Sequence, residues 1–164
     1  MTIQRANHDA TVSTRATIYQ ICVGLMKCYD MLAGQKLSIE ALGDVTILGD
    51  KQVEVKNYQD NLTDGHPNFW KTLKNWLDDT YDSEPYSALV LHTTQLFAEG
   101  SRLVGWNDAT TQERLDLLDA IHADFVKRNE AAVAKGKKSS QVFKLQQYVL
   151  DIKRPDPTGL NRSA

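Results

Sequence analysis

The sequence predicts a mixed α/β domain on one central sheet, with elements in the order αβββαβα. Three observations predict it. Short runs that alternate apolar and polar residues occupy positions 36–57, and stretches with an apolar residue every three or four positions stand before and after them. Residues Tyr86–Thr93 (Tyr-Ser-Ala-Leu-Val-Leu-His-Thr) are more continuously apolar, the pattern of a strand covered on both faces.

Residues 1–14 are polar, lack a period and read as a flexible lead-in. From Arg15 to Leu32 the residues Ile18, Ile21, Cys22, Leu25, Met26, Tyr29 and Leu32 recur at steps of three and four. This is an amphipathic helix, which Ala33-Gly34 ends. Three strands follow, over Lys36–Ala41, Asp44–Leu48 and Gln52–Asn57, the last two joined by a turn at Gly49-Asp50. A second helix runs from Pro67, which suits a first turn, to Asp78, with Phe69, Leu73, Trp76 and Leu77 as its buried stripe. The fourth strand is Tyr86–Thr93. A long third helix opens at Thr110-x-x-Glu113, a capping box, carries Leu115, Leu118, Ile121, Phe125 and Val126, and stops near Gly136-Lys137-Lys138. Gln141–Ile152 is amphipathic and fits either a helix or a strand. The two prolines and the glycine after Lys153 make 153–164 a polar tail.

The length, 164 residues, points to one domain over 15–152, and 19 basic against 21 acidic residues leave no basic excess to advertise a nonspecific nucleic-acid binder. Any attraction to phosphate must therefore be local. No apolar run approaches the roughly 18–20 residues that span a bilayer, and 1–15 lacks the apolar stretch of a secretory signal, so no membrane partner and a cytoplasmic location are expected. Cys22 and Cys28, six apart in one helix, fit neither a disulfide nor a metal pair and are expected to be reduced core residues.

The hairpin carries the chemistry. Val45, Ile47, Val53 and Val55 alternate with Asp44, Thr46, Glu54 and Lys56. A two-residue turn would pair Val45 with Glu54 and set a carboxylate among valines, at a cost of several kcal/mol. A three-residue loop, Gly49-Asp50-Lys51, instead pairs Leu48 with Gln52, Thr46 with Glu54 and Asp44 with Lys56. Asp44, Glu54 and Lys56 then share one face. Two carboxylates with the Val55 carbonyl beside them suit a hard cation such as magnesium, or manganese in its place. Such a metal activates water and shields an attacked phosphate, while Lys56 orients or deprotonates that water or neutralises the developing oxyanion. A surface hairpin with an ordinary salt bridge uses the same residues.

Several segments appear in a telling order: Tyr19-Gln20, Glu40…Asp44, Gln52-Val53-Glu54-Val55-Lys56, and Asn68-Phe69-Trp70-Lys71-Thr72-Leu73-Lys74-Asn75-Trp76-Leu77. Together they resemble the nuclease domain of bacterial anti-phage effectors. These are the double-stranded DNA endonucleases of cyclic-oligonucleotide (CBASS) and related defence systems, in the PD-(D/E)XK superfamily. The likeness spans about 15–135, and its most distinctive part is Trp70–Trp76. It implies a restriction-endonuclease-like fold, a mixed central sheet flanked by helices, with Asp44 and Glu54 as metal ligands and Lys56 as the catalytic lysine. Glu40 would be a supporting acid and Gln20 a helix residue facing the site. Effectors of this kind continue into a sensing or oligomerising domain, which implies a sensor domain or regulatory partner subunit, or assembly as a homo-oligomer. A non-catalytic scaffold or assembly domain on the same fold is the alternative, and an enzyme acting on RNA is a third reading.

Lys71 and Lys74, one turn apart, suit either a DNA backbone or a solvated face. Phe69, Trp76 and Leu77 keep core spacing, whereas Trp70 lies off that stripe and fits core or base stacking. His66, His92 and His122 are too scattered for a zinc site.

Overall fold

The computed structural model describes residues 11–153. In chain order they form α1 (Thr11–Tyr29), β1 (Leu37–Ile39), β2 (Val45–Ile47), β3 (Lys51–Lys56), α2 (Pro67–Trp76), β4 (Ala88–Thr93), a 3-10 turn (Arg102–Gly105), α3 (Thr111–Val133) and α4 (Gln141–Lys153). The mixed α/β class stands, with one four-stranded sheet in the order β1-β2-β3-β4. The first three strands are antiparallel and β4 runs parallel to β3. The ambiguous segment after Gln141 is a helix, so two helices rather than one close the order. The expected lead-in lies outside the described residues except for 11–14, which form the start of α1, and the expected tail lies outside them except for Lys153.

Length pointed to one domain, but the contacts divide the chain into two compact units. One comprises 11–60 and 82–95, the other 61–81 and 96–153, among the described residues. The first unit is α1 on the sheet. Its core is Val23, Val45 and Val53, with Tyr19, Leu37, Val55 and Val90 packed around them. The β-branched residues of the hairpin thus lie on the face that α1 covers. Helix and sheet approach closely at Gly24, where an added Cβ would stand 2.8 Å from Ile39 Cδ1.

The apolar stripe of α1 does not make this contact. Gln20, Val23 and Gly24 are buried, while Ile18, Ile21, Leu25, Met26 and Tyr29 are between 43% and 91% exposed. Cys22 and Cys28 are free thiols, as expected, but both are exposed and not core residues. The stripe is real as periodicity but turned away from the sheet. β4 also differs from expectation, since every residue from Ala88 to Thr93 is half-buried.

In the second unit, His66 caps α2 by accepting a hydrogen bond from the Asn68 N–H at Nδ1 (3.2 Å), and Pro67 takes the first turn. The helix buries Asn68, Phe69, Trp70 and Thr72, whereas Leu73, Trp76 and Leu77 are half-buried. Trp70 is wholly buried, so it is core. Its indole N–H donates to the Asp64 carbonyl (2.7 Å), and Phe69 meets both Trp70 and Trp106 edge-on. At the start of α3, Thr110 Oγ1 accepts from the Glu113 N–H (3.3 Å) and the Thr110 N–H donates to Glu113 Oε2 (2.7 Å), completing the capping box. Leu118 and Ile121 of α3 and Val149 and Leu150 of α4 complete this core.

Candidate active site

β2 meets β3 with Val45 opposite Val53, Thr46 opposite Gln52 and Ile47 opposite Lys51. The loop has three residues as expected, but they are Leu48-Gly49-Asp50. Gly49 supplies the left-handed conformation (φ 75°), and the Asp50 N–H closes the turn on the Ile47 carbonyl (3.0 Å). Each expected pair slips by two. Thr46 faces Gln52 rather than Glu54, and Asp44, just before β2, comes level with Glu54 rather than Lys56. A slip of two keeps every side chain on its face, so the argument that separates the carboxylates from the valines survives the change of register.

β3 pairs with β2 only through Val53, while its pairing with β4 continues to Lys56. The edge of Glu54–Lys56 on the β2 side is thereby released from the ladder. Asp44 occupies it, with Oδ2 accepting the Val55 N–H (2.6 Å). Its carboxylate therefore sits on the backbone between Glu54 and Lys56. Lys56 Nζ makes an ion pair with Glu54 Oε1, with side chains 23% and 17% exposed.

The neighbouring loop is fixed by backbone contacts. Gln20, buried in α1, donates from Nε2 to the Asp44 carbonyl (2.8 Å), and the Glu40 N–H donates to the same oxygen (3.2 Å). Thr46 Oγ1 donates to the Leu42 carbonyl (3.2 Å). Gly43 suits this turn because its backbone is left-handed (φ 115°), a conformation that L side chains rarely adopt. Gln20 thus touches the main chain of Asp44 and not its carboxylate. Glu40 has an exposed side chain and a left-handed backbone (φ 62°). No group of three or more His, Cys, Asp or Glu side chains that could hold a metal exists among the described residues, so Glu40 does not join Asp44 and Glu54 as a third ligand.

Two carboxylates, Asp44 and Glu54, and the Val55 carbonyl belong to this strand end. Asp44 Oδ1 and Glu54 Oε2 are outside the two contacts described, and the Val55 carbonyl points to the same edge as its N–H by strand geometry. Magnesium binds through one or two carboxylates and retains several waters, so Asp44, Glu54 and the Val55 carbonyl are the groups that could hold it.

Lys71 and Lys74 belong to the second unit. Lys71 is exposed. Lys74 Nζ lies 4.9 Å from the Tyr148 ring centroid and 3.9 Å from Asp78 Oδ2, so it is already engaged. Sequence reasoning assigned no role to His92. On β4 it pairs with Val55, and its Nε2 lies 3.1 Å from the Tyr19 hydroxyl, on the α1 side of the sheet. Burial, then the charge of Lys27, holds its pKa below the ordinary imidazole value. Only the β3–β4 register, invisible in sequence, could have placed it there.

No family model matches the chain, and neither a curated protein nor a solved structure matches it. No helix among the described residues is long and apolar enough to cross a membrane.

Proposed function

We propose that this chain is a magnesium-dependent endonuclease domain of a bacterial anti-phage effector, with a restriction-endonuclease-like fold. It hydrolyses phosphodiester bonds of double-stranded DNA with little sequence preference. The observation that carries the reading is the position of the Asp44 carboxylate on the Val55 amide, between Glu54 and Lys56. Magnesium or manganese bound there supplies an activated water and offsets phosphate charge. Lys56 Nζ can shift its hydrogen bond from Glu54 to a phosphate oxygen as charge builds on it. Asp44 holds its carboxylate against the open edge of β3, and Gln20 fixes the backbone that presents it. On the second unit, Lys71 is an exposed cation that a DNA backbone could meet, and Lys74 joins it only by leaving Tyr148 and Asp78. A nuclease that is always on is toxic to its host, so a sensor domain or regulatory partner subunit is part of the reading, as is a cytoplasmic setting.

The closed Glu54–Lys56 ion pair favours a second reading, a non-catalytic scaffold or assembly domain in which the three groups only stabilise the hairpin. Plasmid DNA incubated with the full chain, in magnesium and in EDTA, beside Lys56→Ala, separates the two. Cleavage that needs magnesium and falls at least about a hundredfold in Lys56→Ala supports the nuclease. Equal cleavage by the variant refutes the mechanism. Intact plasmid, together with no magnesium binding by calorimetry, leaves the scaffold. A single-stranded RNA arm distinguishes the nucleic acid cut.

A further inference from the structure

The exposed face of α1 is unusual for a helix lying on a sheet. Ile18, Ile21, Cys22, Leu25, Met26 and Tyr29 are exposed, and Leu32, just past the helix, is 74% exposed. Scattered apolar residues on a surface are ordinary, but a contiguous stripe marks an interaction surface.

The stripe and its flanking charges have a symmetry that suits a second copy of the same helix. Counted from either end, its six helical positions follow the same spacing, three-one-three-one-three. Two copies laid antiparallel about the point between residues 23 and 24 therefore set Ile18 against Tyr29, Ile21 against Met26 and Cys22 against Leu25. The charges agree with this arrangement. Arg15 precedes the stripe, and Asp30 follows the helix, its N–H still bonded to the Lys27 carbonyl of the last turn (3.1 Å). At 100° per residue both lie on the same flank of the stripe. A two-fold axis between antiparallel helices brings the same flanks together, so Arg15 of one copy lies about 3 Å along the axis from Asp30 of the other. A parallel pairing instead sets the two Arg15 side chains at one level. The complementarity is of apolar contact and of charge.

We propose that the chain self-associates into a two-fold dimer through antiparallel packing of α1 on α1 of a second copy. The stripe supplies buried apolar area and the two Arg15–Asp30 pairs supply orientation. The inference stands independently of the nuclease reading, since none of its residues belongs to the site on β3.

The test uses the full chain. Sedimentation equilibrium should give a mass twice the chain's 18.4 kDa. Leu25→Glu, which puts a charge in the seam, should weaken the dimer at least about tenfold. Arg15→Asp should weaken it, and the double swap Arg15→Asp with Asp30→Arg should restore it. These surface changes leave the core against the sheet untouched, and circular dichroism checks that each variant folds. Single-thiol variants give the geometry. With Cys28→Ser, the two Cys22 thiols stand about 4.5 Å apart along the axis and should cross-link with a short bis-maleimide. With Cys22→Ser, the two Cys28 thiols are about 13.5 Å apart along the axis on the other flank and should not. A monomeric wild type overturns the proposal, as does a dimer indifferent to Leu25→Glu. Failure of the double swap, or cross-linking through Cys28 as efficient as through Cys22, overturns the antiparallel arrangement.

Discussion

Replacing Asp44 by asparagine and by alanine separates what its carboxylate does for the fold from what its charge does for the site. Oδ2 accepts the Val55 N–H at 2.6 Å, where β3 has left β2 and no backbone carbonyl of β2 pairs with it. Alanine leaves that half-buried donor without its acceptor, which costs about 1–3 kcal/mol. Asparagine keeps an acceptor oxygen and gives up the charge assistance, so its cost is about 1 kcal/mol or less. Magnesium reverses the ranking of what matters. A ligand that binds only the folded state at a hundredfold excess over its dissociation constant adds about 2.7 kcal/mol. In the proposed reading both substitutions remove one of two anionic ligands, so both should lose that increment. Urea unfolding followed by far-ultraviolet circular dichroism, in EDTA and in magnesium, measures the four quantities. Amide exchange at Val55 reports the hydrogen bond directly. Unchanged stability of Asp44→Ala would refute the capping of β3, and a full magnesium increment in Asp44→Asn would refute Asp44 as a ligand.

Three further outcomes are expected. Trp70→Ala should cost about 3–5 kcal/mol and Trp70→Phe about 1–3, the latter by stranding the Asp64 carbonyl; fluorescence of the other two tryptophans, in the same unit, gives the urea midpoints. His92 is held neutral by burial and by Lys27, so the unfolded chain takes up a proton first as pH falls through about 6.5. Stability should accordingly be full above that value and decline below it, and His92→Gln should flatten this slope in denaturation at pH 7.5 and 5.5. Glu40 occupies a left-handed conformation that costs an L-residue about 1–2 kcal/mol, so Glu40→Gly should gain about 0.5–1 kcal/mol after the entropy of glycine, with plasmid cleavage unchanged. A loss of cleavage would restore Glu40 to the site.

The parts of the fold that follow local rules were legible. Thr110-x-x-Glu113 announced the start of α3, Pro67 the start of α2, and the alternation at 45–55 the hairpin, because caps, rings and pleats act over a few residues. Pairing was less accessible. The face of each hairpin residue followed from the cost of burying a carboxylate among valines, but that cost is the same for two registers that differ by two, and the choice between them fell to Gly49 at φ 75°. The orientation of α1 was not legible either. Periodicity shows that a helix has an apolar face, and says nothing of whether the face meets this chain's sheet or another molecule. Here Gly24 decides. Its missing Cβ lets the helix settle on Ile39 along the side holding Tyr19, Gln20 and Val23, and the larger apolar residues remain outside. Trp70 was misleading for a related reason, since α2 buries the face of its first two turns rather than the full-length stripe.

The site residues draw their arrangement from an asymmetry in β3. A strand paired fully on both edges has no backbone group to spare, and its side chains meet solvent only above and below the sheet. β3 keeps β4 along its whole length and loses β2 after Val53. The three residues past that point are Glu54, Val55 and Lys56. The lost partner frees an N–H and a carbonyl at Val55, and Asp44 takes the N–H with one carboxylate oxygen. The Val55 carbonyl faces the same edge as its N–H, and Lys56 is ion-paired with Glu54 beside it. In the proposed reading the oxygens of Asp44, Glu54 and the Val55 carbonyl are the ones that would receive a hard cation. The same edge would be closed by extending β2 backwards through Gly43. That extension stops at Gly43, which would stand opposite Val55 and whose left-handed backbone (φ 115°) turns the chain out of the ladder, while Gln20 and Glu40 fix the Asp44 carbonyl on the β1 side. Gly43 therefore keeps the edge open, and Gln20 fixes the main chain from which the Asp44 side chain reaches it. Gln20→Leu should leave the first unit folded while weakening magnesium binding, a separation that a purely structural role for this glutamine would not give.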